Sequence, residues 1–266
     1  MDRELSEEAR SLVAAARGWI AELHEEGVES FERLATSPAP AAEPAPSATP
    51  APEAKRSTFP PTPAPAPQQP TLITGGPDFG PAPTLESVRE VLGECTRCRL
   101  SEGRGRLVFG DGNPHADLLF VGEGPGAEED KRGLPFVGRA GELLTSMIEK
   151  GLEIPRSEVY ICNIVKCRPP DNRTPLADEV STCQPFLDGQ IAAVKPKVII
   201  ALGKPAASLL LGREVAITRL RGSWHEYHGI PLMPTLHPAF ILRQYTPENR
   251  RAVWSDLKAA LERSKE

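Results

Sequence analysis

The chain has 266 residues, a formal net charge of −5 and 29 prolines, 15 of which fall between Thr36 and Pro83. Residues 1–83 carry 6 basic and 12 acidic side chains, which leaves residues 84–266 with 25 basic and 24 acidic. Near-neutrality of that larger part excludes a strongly basic body that coats nucleic acid non-specifically. No apolar run approaches the ~18 uncharged residues of a membrane span. Five cysteines, an odd number, behind an acidic N-terminus unlike an export signal, argue against a disulfide framework and lead one to expect thiols in a reducing cytoplasm.

In chain order, Leu5 to Leu34 reads as an amphipathic helix. Leu12, Val13, Ala16, Trp19, Ile20, Leu23, Val28, Phe31 and Leu34 share one stripe, which Gly18 and Gly27 weaken. Residues 1–35 are therefore expected to be a helical unit suited to docking on a protein partner that the sequence does not name; a helix without function is the plain alternative. Residues 36–83 are about half Pro plus Ala. Such a segment cannot bury enough apolar surface to offset its ordering entropy and is expected to be a disordered, extended tether. Residues 84–266 are long enough to bury a core of their own.

From Thr84 onward helices alternate with strands. The pattern predicts a helix over 84–92 capped by Thr84, a strand over 117–122, a helix over 140–150 and a strand over 159–165. A helix over 175–194 follows, with Thr174 as its cap, then a strand over 198–203, a helix over 205–211, a strand over 231–236 and a closing helix over 247–263. This alternation implies an α/β unit with a parallel sheet covered on both faces. Functional residues of such sheets gather on the loops after the strands, here Gly122–Gly126, Asn163–Thr174 and His237–Arg243.

Four cysteines have a spacing of chemical interest. Cys95 and Cys98 form Cys-x2-Cys, and Cys167 and Cys183 lie far downstream. Two thiolates from one turn and two from elsewhere can complete a four-thiolate site, for zinc or for an iron–sulfur cluster. Alternatively Cys167 and Cys183 are packing residues. Cys162, inside a predicted strand, reads as a small core residue.

Four separated runs, Gly122-Glu123-Gly124-Pro125-Gly126, Pro135-Phe136-Val137-Gly138-Arg139-Ala140-Gly141, Asn163-Ile164-Val165-Lys166-Cys167-Arg168-Pro169-Pro170 and His237-Pro238, closely resemble the family 4 uracil-DNA glycosylases, the iron–sulfur branch of that superfamily. The resemblance spans about Val91 to Leu261 and departs at Gly124, where family members usually carry Ala. It implies a three-layer sandwich around a four-stranded parallel sheet. It also implies one four-iron four-sulfur cluster on Cys95, Cys98, Cys167 and Cys183, holding loops near DNA rather than doing redox chemistry. The implied activity is hydrolysis of the uracil N-glycosidic bond in DNA, leaving an abasic site for base excision repair, by a monomer without lyase chemistry.

That chemistry requires an extruded base that is stacked, read at its edge, relieved of its negative charge and replaced by water. Phe136 is the stacking candidate. Asn163 offers an amide donor and acceptor side by side for uracil O4 and N3–H. His237 is expected to donate to uracil O2 as charge develops there. Glu123 is the loop carboxylate for orienting water or offsetting the sugar cation. Asp171 and Asn172 are second candidates for the water, because Gly124 stands where related branches place an acid or amide. Glu129 is expected to close the pocket near uracil C5. Phe240, Ile241 or Leu242 is expected to fill the gap left by the base, with Arg243 on phosphate. Arg219, Arg221, Lys166, Arg168 and Arg173 are candidates for a local positive face.

Two other classes compete: a non-catalytic or covalent uracil-DNA binder, and a zinc-dependent nucleic-acid module. The segment Arg168–Pro175 is short and contains no His, which counts against the covalent trapping known in a related branch.

Overall fold

The computed structural model describes residues 77–266. The helix expected over Leu5–Leu34, and the tether as far as residue 76, lie outside the described residues. Six strands form one sheet: β1 (Asp111–Gly112), β2 (Leu118–Gly122), β3 (Tyr160–Asn163), β4 (Val198–Leu202), β5 (His225–Tyr227) and β6 (Ile230–Thr235), in the order β1-β3-β2-β4-β6-β5. The inner strands β3, β2, β4 and β6 run parallel, whereas β1 and β5 pair antiparallel at the two edges. The sheet is thus six-stranded and mixed, which corrects the expected four-stranded parallel one. The edge strands are two and three residues long, too short to carry an apolar pattern. β5 joins β6 through His228 and Gly229, both at positive φ (49° and 82°), as a two-residue hairpin turn requires.

Alternate residues of the inner strands bury opposite faces. Leu119, Val121, Tyr160, Cys162, Ile199 and Ala201 enter one core, while Leu118, Phe120, Ile161, Val198 and Ile200 enter the other. Helices cover both, so the unit has three layers. In chain order the helices are α1 (Leu85–Leu92), α2 (Leu100–Gly103), α3 (Ala127–Arg132), α4 (Arg139–Ser146), α5 (Ala177–Val194), α6 (Lys204–Leu210), α7 (Ile217–Leu220), α8 (Pro238–Arg243) and α9 (Pro247–Ser264). The Leu187 and Ile191 side of α5 packs with α6 on the first face, and Leu144 of α4 with Val253 and Leu257 of α9 on the second.

Local signals mostly mark these elements correctly. Thr84 caps α1, its hydroxyl accepting from the Ser87 N–H at 3.1 Å. The cap of α5 shifts from the expected Thr174 to Leu176, whose N–H donates to the Glu179 carboxylate at 2.7 Å. The folded body also begins earlier than Thr84: the Phe79 ring stands edge-on to Phe186 at 5.8 Å. No described helix is long and apolar enough to cross a membrane.

Candidate active site and cysteine cavity

The carboxyl ends of β2, β3, β4 and β6 come together at one edge of the sheet. Gly122 and Asn163 are register partners there, and Gly203 and His237 follow the other two strands. Around them opens a cleft of about 750 Å³ whose lining includes Glu123, Gly124, Glu129, Phe136, Asn163, Asn172, His237, Phe240 and Arg243. Residues from four separate runs of the sequence therefore share one wall-to-wall space.

Asn163 is buried, at 1% exposure, and its Oδ1 has no hydrogen-bond partner. An orphaned buried acceptor is costly, at roughly 1–3 kcal/mol, and this one sits on the cleft. Gly122 makes the arrangement possible: a Cβ there would overlap both Asn163 Oδ1 and the Phe136 ring. Phe136 itself has φ +52°, a conformation that costs a bulky residue about 1–2 kcal/mol. The surroundings impose it. Gly141 lies so close beneath that a Cβ would collide with the Phe136 carbonyl. Val137 and Gly138 donate their N–H groups to Glu129 Oε1, each at 2.9 Å. Arg156 Nη2 donates to the Pro135 carbonyl at 2.7 Å, and its Nη1 to Thr145 Oγ1 at 2.9 Å.

Glu129 therefore also holds backbone, beyond the pocket-closing place expected for it. Its second oxygen accepts from the Gly126 N–H at 3.1 Å, so both carboxylate oxygens are engaged with backbone. The residue lines the cleft and ties the Gly122–Gly126 loop to the Phe136 loop.

His237 precedes α8, and its Nδ1 accepts the Ala239 N–H at 3.1 Å. A neutral imidazole that accepts at Nδ1 carries its proton on Nε2. Burial, with the charge of Arg243, depresses its pKa to about 4, against a smaller opposing pull from Glu129. The ring is thus a neutral donor across the physiological range. It stands 5.7 Å from the Phe136 ring. Gly203, at φ +89°, leaves room for it, since a Cβ there would come within 2.9 Å of His237 Cβ.

Glu123 is half-buried, and burial raises its pKa above the ordinary carboxylate value, opposed by the Thr174 hydroxyl and the Arg243 guanidinium. Asn172 reaches the cleft lining, but its Oδ1 accepts from Arg168 Nε at 2.8 Å. Asp171 is exposed and outside the lining, since the tight turn Pro170–Asn172 directs it away; it is withdrawn as a water-activating candidate. Ile241 is withdrawn from the wedge because it is wholly buried in the second core. Leu242 is exposed and Phe240 lines the cleft.

The expected positive face also changes. Lys166 is 1% exposed and points inward. Arg221 donates to Asp256, which also accepts from Thr235 at 2.6 Å. Arg173 makes a two-pronged pair with buried Glu179, at 2.7 and 2.9 Å. All three serve internal contacts. Sequence reasoning did not single out Arg156 or Gly203, and read Thr174 only as a helix cap and loop end; each acts on a residue distant along the chain.

On the far side of Asn163–Cys167 lies a second, smaller cavity. Its lining contains Cys95 and Cys98 from the α1–α2 connection, Cys167 and Cys183 of α5, with Leu92, Leu107, Lys166 and Phe186 among the others. Cys162 is fully buried in the first core and takes no part. Arg97 Nη1 donates to Cys95 Sγ at 3.2 Å, and Arg104 Nη1 to Cys167 Sγ at 3.3 Å. Burial pushes Cys183 up to about 11 and raises Cys167, with Lys166 and Arg104 respectively pulling each back. Four soft donors with cations beside them and apolar walls fit a thiolate-bound centre. Among the described residues, no three His, Cys, Asp or Glu side chains converge closely enough to share a single metal ion. The four thiols share the lining of one cavity.

The uracil DNA glycosylase superfamily model matches residues 109–258. The chain is 48% identical to the type-4 uracil-DNA glycosylase of Thermotoga maritima over 179 residues, covering 66% of this chain and 92% of that protein. It is 42% identical to the type-4 enzyme of Sulfurisphaera tokodaii over 183 residues, covering 66% and 82%. A type-5 uracil-DNA glycosylase of Thermus thermophilus is 33% identical over 155 residues, covering 53% and 68%.

Proposed function

Because the chain belongs to the uracil DNA glycosylase superfamily, we propose that it excises uracil from DNA as a type-4 enzyme, hydrolysing the N-glycosidic bond and leaving an abasic site for base excision repair. The observation that carries this reading is the pairing of an orphaned acceptor, Asn163 Oδ1, with a fixed neutral donor, His237 Nε2–H, in one cleft.

The extruded uracil slides between the Phe136 ring and the opposing wall, where stacking contributes ~1–3 kcal/mol. Its N3–H supplies the hydrogen bond that Asn163 Oδ1 lacks, and its O4 accepts from the same amide. Cytosine offers an acceptor at N3 and leaves Oδ1 unpaired, so the cost of the orphaned oxygen becomes discrimination. As the C1′–N1 bond lengthens, charge accumulates on the pyrimidine, and His237 donates to O2. The ring needs no protonation for this, and its low pKa keeps the donor in one form. Glu123 faces the sugar from the adjoining loop, where its carboxylate offsets the developing cation and orients the water. Arg243 beside it holds the phosphate, while Leu242 and Phe240 occupy the vacated stack.

Cys95, Cys98, Cys167 and Cys183 would hold a four-iron four-sulfur cluster, which when bound cross-links the α1–α2 connection, the segment after β3 and α5 without entering the reaction. The charge on the DNA side is local, since the domain as a whole is close to neutral.

Anaerobically purified protein incubated with a labelled single-uracil oligonucleotide is expected to produce alkali-sensitive scission at that position, and to show broad iron–sulfur absorbance. A colourless protein that leaves the oligonucleotide intact would refute the reading.

A further inference from the structure

Between the cleft and the cysteine cavity lies one side chain that the chemistry above leaves unused. Lys166 is among the largest fully buried residues of the protein. A buried amine requires hydrogen-bond partners, and this one has two: the backbone carbonyl of Asn163 at 2.7 Å and Oε1 of Gln190. Gln190 is itself buried and fixed, its Nε2 donating to the Phe109 carbonyl at 2.9 Å and to the Tyr160 hydroxyl at 3.1 Å. No carboxylate forms an ion pair with Lys166 among the described residues, whereas its side chain lines the cavity of the four cysteines.

The geometry follows from spacing. Cys183 and Gln190 are seven residues apart on α5, two turns along one stripe. The same helix face therefore reaches the cysteine cavity with one side chain and Lys166 with the other. Lys166 lies next to Cys167 in sequence and three residues beyond Asn163, so its amine folds back on to the residue that ends β3. Asn163 Oδ1 has no partner of its own; the orientation of that amide depends on how its backbone is held. Its flanking backbone is held on one side by the Ile164 N–H to Gly122 carbonyl bond at 2.9 Å, and on the other by Lys166.

We propose that Lys166 is a positioning residue through which α5 and the cysteine-bound centre fix the base-reading amide of Asn163. The inference rests on the function proposed above, and it predicts that the loss of the amine acts through Asn163 and not through general loosening of the fold.

The test is a double-mutant cycle in the full-length holoprotein, using Lys166→Met, Asn163→Ala and the pair. Three readouts are taken: single-turnover uracil release, calorimetric binding of free uracil, and iron and sulfide per chain. Lys166→Met is expected to keep its iron load, to bind uracil and release it roughly tenfold less well, and to add little to the loss from Asn163→Ala. Release by the wild type tests the function by itself; the inference is judged on the ratios. Wild-type binding and rate in Lys166→Met would overturn it, as would a loss that multiplies in full with Asn163→Ala. Iron loss with uracil binding intact would place Lys166 in the cysteine centre alone and would also overturn it. Gln190→Met, which leaves the amine and all four thiols in place, repeats the comparison should Lys166→Met fail to fold. A smaller, equally non-multiplying loss is expected there, and none at all would count against the inference.

Discussion

The cleft and the cysteine cavity lie at the two ends of one short segment, Asn163 to Cys167, yet they treat polar groups in opposite ways. In the cleft, backbone amides and Glu129 hold the loops, and the functional atoms keep hydrogen-bonding capacity: Asn163 Oδ1 has no partner, and His237, engaged with backbone through Nδ1, lines the cleft. In the cavity Arg97 and Arg104 donate to Cys95 and Cys167, and the charge of Lys166 acts on Cys183. A region that must bind and release keeps its hydrogen-bonding capacity unsatisfied. A region that holds segments together satisfies it. The difference predicts that substitutions in the cleft change rate and leave stability nearly intact, whereas substitutions in the cavity change stability first.

The largest effect is expected at His237. His237→Ala should lower single-turnover release by about 10²–10³-fold, with the absorbance spectrum unchanged. Release within a few-fold of wild type would remove the imidazole from its assigned role. Next, Cys98→Ser should diminish the visible absorbance and destabilise the fold by about 3 kcal/mol or more, a fall in melting temperature of roughly 6–12 °C for a unit of this size. An unchanged melt with full absorbance would break the contrast between the two regions. Phe136→Ala should weaken free-uracil binding by about 10–100-fold, from the stacking energy of ~1–3 kcal/mol, as measured by calorimetry; unchanged binding would place the ring in the core only.

Acid pH separates the two titratable groups of the cleft. His237 has a folded-state pKa of about 4, below its ordinary value of 6.5. Between these values the unfolded chain binds more protons than the folded one. The stability from this group is therefore complete above pH 6.5 and is lost as the pH falls toward 4, by up to ~1.4 kcal/mol per unit. The acid limb of the rate is expected to belong instead to Glu123, whose burial raises its pKa above that of an ordinary carboxylate. Glu123→Gln should lower the rate and flatten that limb; a limb that persists unaltered would assign it elsewhere. The smallest effect is expected from removing residues 1–76, which should leave single-turnover release within about twofold, while removal to residue 83 also deletes Phe79 from its contact with Phe186 and should lower the melting temperature.

Much of the site was legible before any coordinates. Gly122 and His237 stand at or just after the ends of predicted strands and Asn163 near the end of another, and the topology of a parallel sheet brings such ends to one edge. The Cys-x2-Cys pair stood out by its spacing, and the structure brings it to one cavity with Cys167 and Cys183. The edge strands were not legible, because two or three residues cannot show a period. The burial of Ile241 and Lys166 and the backbone partners of Glu129 were not legible, for a common reason. Type and position along the chain identify a side chain's chemistry, but the partner that takes up its polar atoms, or the core that buries it, comes from another element.

The amino-acid sequence by itself determined the alternation of strands and helices, the loops on which function would gather, and the residue types that can stack, read and discharge a pyrimidine. Those follow from local rules of period, capping and chemistry. Only the tertiary structure decided which carboxylate is tied to backbone, that the sheet ends in two antiparallel edge strands, and that a lysine read as surface charge is buried. The reason is physical: burial and hydrogen-bond pairing are properties of the space between elements, and no stretch of chain contains that space on its own.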